Sequence, residues 1–196
     1  GRTVWIDEKG EEISEVSKIY LDNDEIKALA LLKNPFWNCE VMFRKSIVSK
    51  YKHFYKSYMY GMEDYHFWIR YLEKCQVANL DNVFLYHRKS AGTETTRVIK
   101  ENSNDKERIF NFLRVLSLGL NGIHLQDVNL SVLNRIYSYS GDNSVSSLEE
   151  LHMLYEALKS VVILANTNNP GDYAINRICK DLFVNTLNLS NVIWWK

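Results

Sequence analysis

Gly61-Met62-Glu63-Asp64-Tyr65-His66-Phe67-Trp68-Ile69-Arg70-Tyr71-Leu72 is the stretch on which the reading of this 196-residue chain turns. Phe67, Trp68, Tyr71, Leu72 and Cys75 recur at three- and four-residue spacing, the period of a helix with one buried face. Gly61 introduces that helix, and Glu63 and Asp64 fall in its first turn, where the helix dipole favours negative charge. Trp68 stands one turn beyond Asp64 on the same face and can fix the helix against a core. A bare Glu-Asp pair at a helix start is most often only a charge-complementary cap, so its meaning depends on its flanks.

Upstream of the helix, Tyr51 to Tyr60 is rich in aromatics and too irregular to assign, and Val41-Met42-Phe43 reads as a short buried strand. Asn34-Pro35 ends an earlier helix over 22–33, which Asp22 or Asn23 can cap, since proline disfavours helical geometry at the residue before it. Val4-Trp5-Ile6, the turn-forming Asp7-Glu8-Lys9-Gly10 and Ile13 predict a β-hairpin. Downstream, Gln76 to Arg88 reads as extended. From residue 98 the pattern turns helical. Arg108–Leu120 is stopped by Gly119 and Gly122, and Val128–Tyr139 follows. A third helix opens on the capping box Ser147-Leu148-Glu149-Glu150 and runs to Ala165, and a fourth opens on Asn169-Pro170 and ends near Leu187. The expected fold is α+β, few strands followed by a mostly α-helical region, with domains at 1–97 and 98–196.

The bulk composition narrows the function. Lys plus Arg and Asp plus Glu both number 24, so the net charge is zero and nothing pulls the chain toward nucleic acid or an anionic membrane. A hydrophobic content of 46% is that of an ordinary globular protein, and no window has the apolar length of a membrane helix. Cys39, Cys75 and Cys179 are widely spaced, odd in number and without metal-ligand spacing, the pattern of a reduced cytosolic protein. Aromatics make up 13%, and Tyr and Trp combine a flat apolar face with a polar tip suited to sugar stacking and to interfaces.

Taken in order, Asn34-Pro35, Val41-Met42-Phe43-Arg44-Lys45-Ser46, Glu63-Asp64 with Trp68, Asn79-Leu80 and Leu85-Tyr86-His87-Arg88 resemble the acceptor-side, C-terminal half of the catalytic domain of family 2 glycosyltransferases. No element is specific alone; the ordered set over 34–97 carries the resemblance, which is taken to cover residues 1–97. It implies a truncated half of the family's GT-A fold, followed by a helical C-terminal extension that it does not reach. The activity implied is inverting transfer of a sugar from a nucleotide-sugar donor to a glycan acceptor, in polysaccharide or cell-surface glycan synthesis. Such a transfer needs a carboxylate to take the proton of the acceptor hydroxyl. The resemblance makes Asp64 that catalytic base, with Glu63 assisting. It makes Trp68, Arg88, Trp37 and Tyr60 the substrate-binding residues.

The resemblance also implies departures. The family's metal-binding Asp-X-Asp follows a buried strand much further upstream, whereas Asp22-Asn23-Asp24 stands at a helix start and reads as a cap. Ser90 stands where the family carries a histidine that can complete the metal site. A divalent metal, Mn or Mg, is therefore expected only in a full-length enzyme and none in this fragment. The nucleotide-binding half is missing and Gly1 is not preceded by an initiator Met, so the chain is expected to be a piece of a longer protein, inactive alone. The parent enzyme is expected in the cytoplasm, with peripheral association at the inner face of the membrane as one setting. Trp37, Tyr51, Phe54, Tyr55, Tyr58 and Tyr60 either line an acceptor groove or pack among themselves. His53, His66, His124 and His152 read as surface or packing residues, and Trp194-Trp195 carries no assignment. The competing expectation is a non-catalytic helical interaction module in which Glu63-Asp64 only caps its helix.

Overall fold

The computed structural model of the chain describes residues 1–15, 19–52, 54–59, 61–90, 103–138, 144–169 and 172–189. The protein is α+β, with one small sheet and a majority of helix. It divides into two compact units, Gly1–Ala30 with Asn34–Lys106, and Leu31–Lys33 with Glu107–Lys196.

The first unit is built round a hairpin. β1 (Arg2–Ile6) and β2 (Glu12–Glu15) pair antiparallel, and Asp7 closes the turn by accepting from Lys9 N and Glu11 N at 2.8 and 2.9 Å. Gly10 sits at φ 92°, a left-handed conformation that glycine adopts without steric cost. β3 (Val83–Arg88) joins the other side of β1 in parallel, placing Trp5 opposite His87 and Ile6 opposite Arg88. A parallel pair needs a long crossover. Here it carries α1 (Asn23–Ala30), α2 (Lys45–Tyr51), α3 (Glu63–Tyr71) and short 3₁₀ turns at Asn38–Glu40, Ser57–Met59 and Leu72–Lys74.

Asp22 caps α1, its Oδ1 accepting from Glu25 N at 2.9 Å. Ile26, Leu29 and Ala30 are buried on α1, and α3 with its end buries Tyr65, His66, Phe67, Trp68, Ile69, Tyr71 and Leu72. Tyr65 carries its hydroxyl into that core and donates to the Ala30 carbonyl at 2.9 Å, satisfying an acceptor that the end of α1 leaves open. Asn79 is a latch: its side-chain amide donates to Tyr20 O at 2.8 Å and its backbone N–H to Leu21 O at 3.0 Å.

The second unit is helical. It holds most of α4 (Ser103–Leu120), then α5 (Asp127–Ile136), α6 (Leu148–Asn168) and α7 (Tyr173–Leu189), with α6 packed on both α5 and α7. Leu113, Leu133, Leu154, Val161, Ile175 and Ile178 are fully buried. Arg114 is 0% exposed, and its guanidinium donates to the carbonyls of Leu32 and Tyr137 and to Asn134 Oδ1. Both carbonyls stand just beyond helix ends, where the dipole places partial negative charge. Gly122, at φ 70°, closes the α4–α5 turn, and its carbonyl accepts from Asn168 Nδ2 at 2.9 Å. A Cβ there would stand 2.9 Å from that nitrogen. Cys179 is buried on α7, and desolvation pushes its thiol up to about 12. No helix among the described residues is long and apolar enough to cross a membrane.

Three local expectations fail. Val41-Met42-Phe43 is no strand: Met42 is 97% exposed and Phe43 only half-buried, and the chain passes from the Asn38–Glu40 turn into α2. Three apolar residues in a row carry no period, and among the described residues no strand pairs with them. The extended run is confined to Val83–Arg88, because Val77 N and Asn79 N bond to Asn23 Oδ1 and Leu21 O instead of a strand. Helix α7 opens at Tyr173 with Asp172 as its cap, not at Asn169-Pro170; Pro170 lies outside the described residues.

Candidate active site

Glu63 and Asp64 occupy the first turn of α3, as their positions before the apolar stripe require. Gly61, at φ 82°, turns the chain into the helix, and Met62 at the cap position makes no side-chain hydrogen bond to it. The first turn is served from within: Asp64 Oδ1 accepts from Tyr65 N at 2.7 Å. Asp64 Oδ2 accepts from Asn34 Nδ2 at 3.1 Å. Asn34 is fixed in turn by an Asx turn, its Oδ1 accepting from Phe36 N at 3.3 Å across the rigid Pro35.

Asp64 is half-buried, and burial is the largest influence on its acidity, pushing the carboxyl above the usual carboxylate range. The hydrogen bonds from Tyr65 N–H and the Asn34 amide oppose this, and the neighbouring charge of Glu63 adds to it. Asp64 is thus a stronger base than a carboxylate in water, while two donors fix its orientation. Glu63 Oε2 is enclosed without a hydrogen-bond partner among the described residues.

Two further titratable groups sense Asp64. Burial raises the Tyr55 hydroxyl, its bond to Asn38 Oδ1 at 2.8 Å lowers it, and Asp64 and Glu63 raise it again. Burial likewise raises the Cys39 thiol, with Glu40 and Asp64 adding to the effect. The same helix carries the centre of an aromatic cluster. Trp68, 5% exposed, meets Phe36, Phe43 and Phe67 edge-on, with ring centroids 5.5, 5.8 and 4.7 Å away. Its Nε1 has no hydrogen-bond partner among the described residues.

The structure therefore brings Glu63, Asp64 and Trp68 together on one helix. Trp37 belongs to a second aromatic cluster at the sheet, 5.6 Å from Trp5 and 6.4 Å from His87. Arg88 Nη1 donates to the carbonyls of Asp7 and Glu8 at 2.7 and 2.9 Å, bracing the β1–β2 turn. Tyr60 lies outside the described residues. Each Asp64 oxygen accepts from an N–H group, and among the described residues no group of three His, Cys, Asp or Glu is placed to hold an ion.

Asn34 and Phe43 were missed as site residues by sequence reasoning. Asn34 was visible as a helix stop and as part of the Asn-Pro of the resemblance, without a role of its own, although an Asn directly before Pro also signals a side-chain turn. Phe43 was hidden in an apolar triplet whose exposure no local pattern reveals. No family model, curated protein or solved structure matches the chain.

Proposed function

We propose that this chain is the acceptor-side part of an inverting glycosyltransferase in which Asp64 is the catalytic base. The observation that supports the reading best is the Asp64 carboxylate itself: raised in basicity by burial, held by Asn34, and set beside a second carboxylate in the first turn of the helix that carries Trp68. In the transfer, an acceptor hydroxyl attacks the anomeric carbon of the donor sugar and passes its proton to Asp64. The bond from that carbon to the nucleotide diphosphate breaks, and its electron pair leaves with the diphosphate. Attack opposite the leaving group inverts the anomeric centre. Asn34 keeps the carboxylate facing the hydroxyl, and Glu63 raises its proton affinity through like charge. On this reading the nucleotide-sugar and the divalent metal implied by the resemblance are held outside these 196 residues, and Asp64, Glu63 and Asn34 act on the acceptor alone.

The test is Asp64→Asn in the enzyme that carries both halves. Asparagine keeps the shape and loses the basicity, so turnover should fall about a hundredfold or more while acceptor binding changes little. The competing reading, in which Asp64 only satisfies the first turn of α3, is favoured by the 2.7 Å bond from Tyr65 N. It expects altered stability and turnover close to wild type, the outcome that would overturn the base assignment.

A further inference from the structure

We infer that the surface formed by Phe43 and Tyr55 beside the Glu63–Asp64 pair is a platform for an oligosaccharide acceptor, with Tyr55 the ring that seats the sugar unit next to the one that reacts. The inference rests on the glycosyl-transfer reading and adds the class of acceptor to it.

The rings are exposed yet fixed. Phe43 is 47% exposed and Tyr55 46%, while both lean on the same buried ring, Phe67, at centroid separations of 5.6 and 5.1 Å. Phe43 also meets Trp68 at 5.8 Å, and the Tyr55 hydroxyl is tied to Asn38. Half-exposed rings anchored in this way present apolar faces with little conformational entropy left to lose on binding.

What surrounds them selects the occupant. An apolar helix or an acyl chain would bury Glu63, Asp64 and Asn38 against hydrocarbon, leaving charged and amide groups desolvated without partners. A sugar has one apolar C–H face and a rim of hydroxyls. Its C–H bonds suit the negative face of a ring, and its hydroxyls suit carboxylates and amides. Two enclosed polar atoms in this cluster, Glu63 Oε2 and Trp68 Nε1, lack partners among the described residues, one an acceptor and the other a donor. Tyr55 feels the charge of the carboxylate pair, and Phe43 flanks the same Phe67 ring as Tyr55; two such rings exceed what a single sugar covers. A monosaccharide at Asp64 leaves at least one ring bare, and a second unit fills it.

The experiment reads binding by the chain itself, with no transfer step. The fluorescently labelled chain is applied to a glycan array carrying mono- and oligosaccharides, alongside Tyr55→Ala, Phe43→Ala and Tyr55→Phe. The wild-type chain should hold a set of oligosaccharides and not the matching monosaccharides. Tyr55→Ala and Phe43→Ala should weaken that binding about tenfold each, the order expected for an anchoring aromatic ring. Tyr55→Phe, which keeps the ring and loses the bond to Asn38, should retain most of it. An array without bound oligosaccharides, or binding that Tyr55→Ala leaves intact, overturns the inference. Failure of the base assignment is seen separately, as undiminished turnover of the Asp64→Asn enzyme, and does not alter what the array reads.

Discussion

Asp64 has a carboxyl that folding makes a weaker acid, and that direction fixes how it should respond to pH. Its native proton affinity is raised above the ordinary value of 3.8, mainly by burial. The native state therefore takes up the proton before the unfolded chain does as pH falls. The sign follows: Asp64 adds to stability below 3.8, and that contribution is lost as pH rises through its raised native value. Asn34 works against the shift by donating to Oδ2. Asn34→Ala should therefore move the Asp64 titration further upward, measured by the carboxyl ¹³C shift in the isolated chain. A downward or unchanged titration would show that the amide does not hold the charge. Asp64 and Glu63 were legible as a candidate pair because a helix start and an apolar stripe are local patterns. Their partners were not, since Asn34 is thirty positions away and Tyr55 is reached by a chain with no period between Tyr51 and Tyr60.

Helix ends divide into those written in a single motif and those settled by which neighbour arrives. Ser147 does what its capping box announces, accepting from Glu150 N at 3.1 Å, although the Glu150 carboxylate turns to Ser146 N at 2.7 Å. Asp22 similarly caps α1. For α7 two signals competed within four residues, and Asp172 prevails by accepting from Ala174 N and Ile175 N at 3.0 and 3.3 Å. Asp172→Ala should cost about 1 kcal/mol of stability in urea unfolding, the usual loss for an N-cap. Asn169→Ala should be close to neutral, because the bonds shown at Asn169 run through its backbone, from its N–H to Ala165 O and from Asp172 N to its carbonyl. Equal losses in the two variants would return the cap to Asn169. The hairpin was legible for the same local reason: a polar turn with glycine between short apolar runs has few alternatives. Val41–Phe43 was not, because hydrophobicity without period says nothing of exposure.

In the chain taken as a whole, the three residues Leu31–Lys33 belong with the helices some eighty positions later instead of with α1, which they follow directly. Leu32 is fully buried there, and its carbonyl accepts from Arg114 Nε at 2.9 Å. No sequence pattern announces this, since a buried arginine bonded to carbonyls reads, before the fold is known, like any helical surface arginine. The α+β class, by contrast, follows from a hairpin near one end and four amphipathic periods toward the other, and both are present. The thiol on α7 turns this architecture into a clock. With its acidity displaced to about 12 and its sulfur enclosed, Cys179 has almost no thiolate at neutral pH and no path to a reagent while the helices stay closed. A disulfide reagent should modify the exposed Cys39 directly, while Cys179 waits for an opening of the helices around it. Its modification rate, followed by mass spectrometry through a urea series below the transition, should rise exponentially with denaturant, in step with the surface that opening exposes. A rate at Cys179 that does not depend on urea would mean that the sulfur is reached by local breathing. The same measurement then reports how readily the helical unit opens below its transition, with no residue changed.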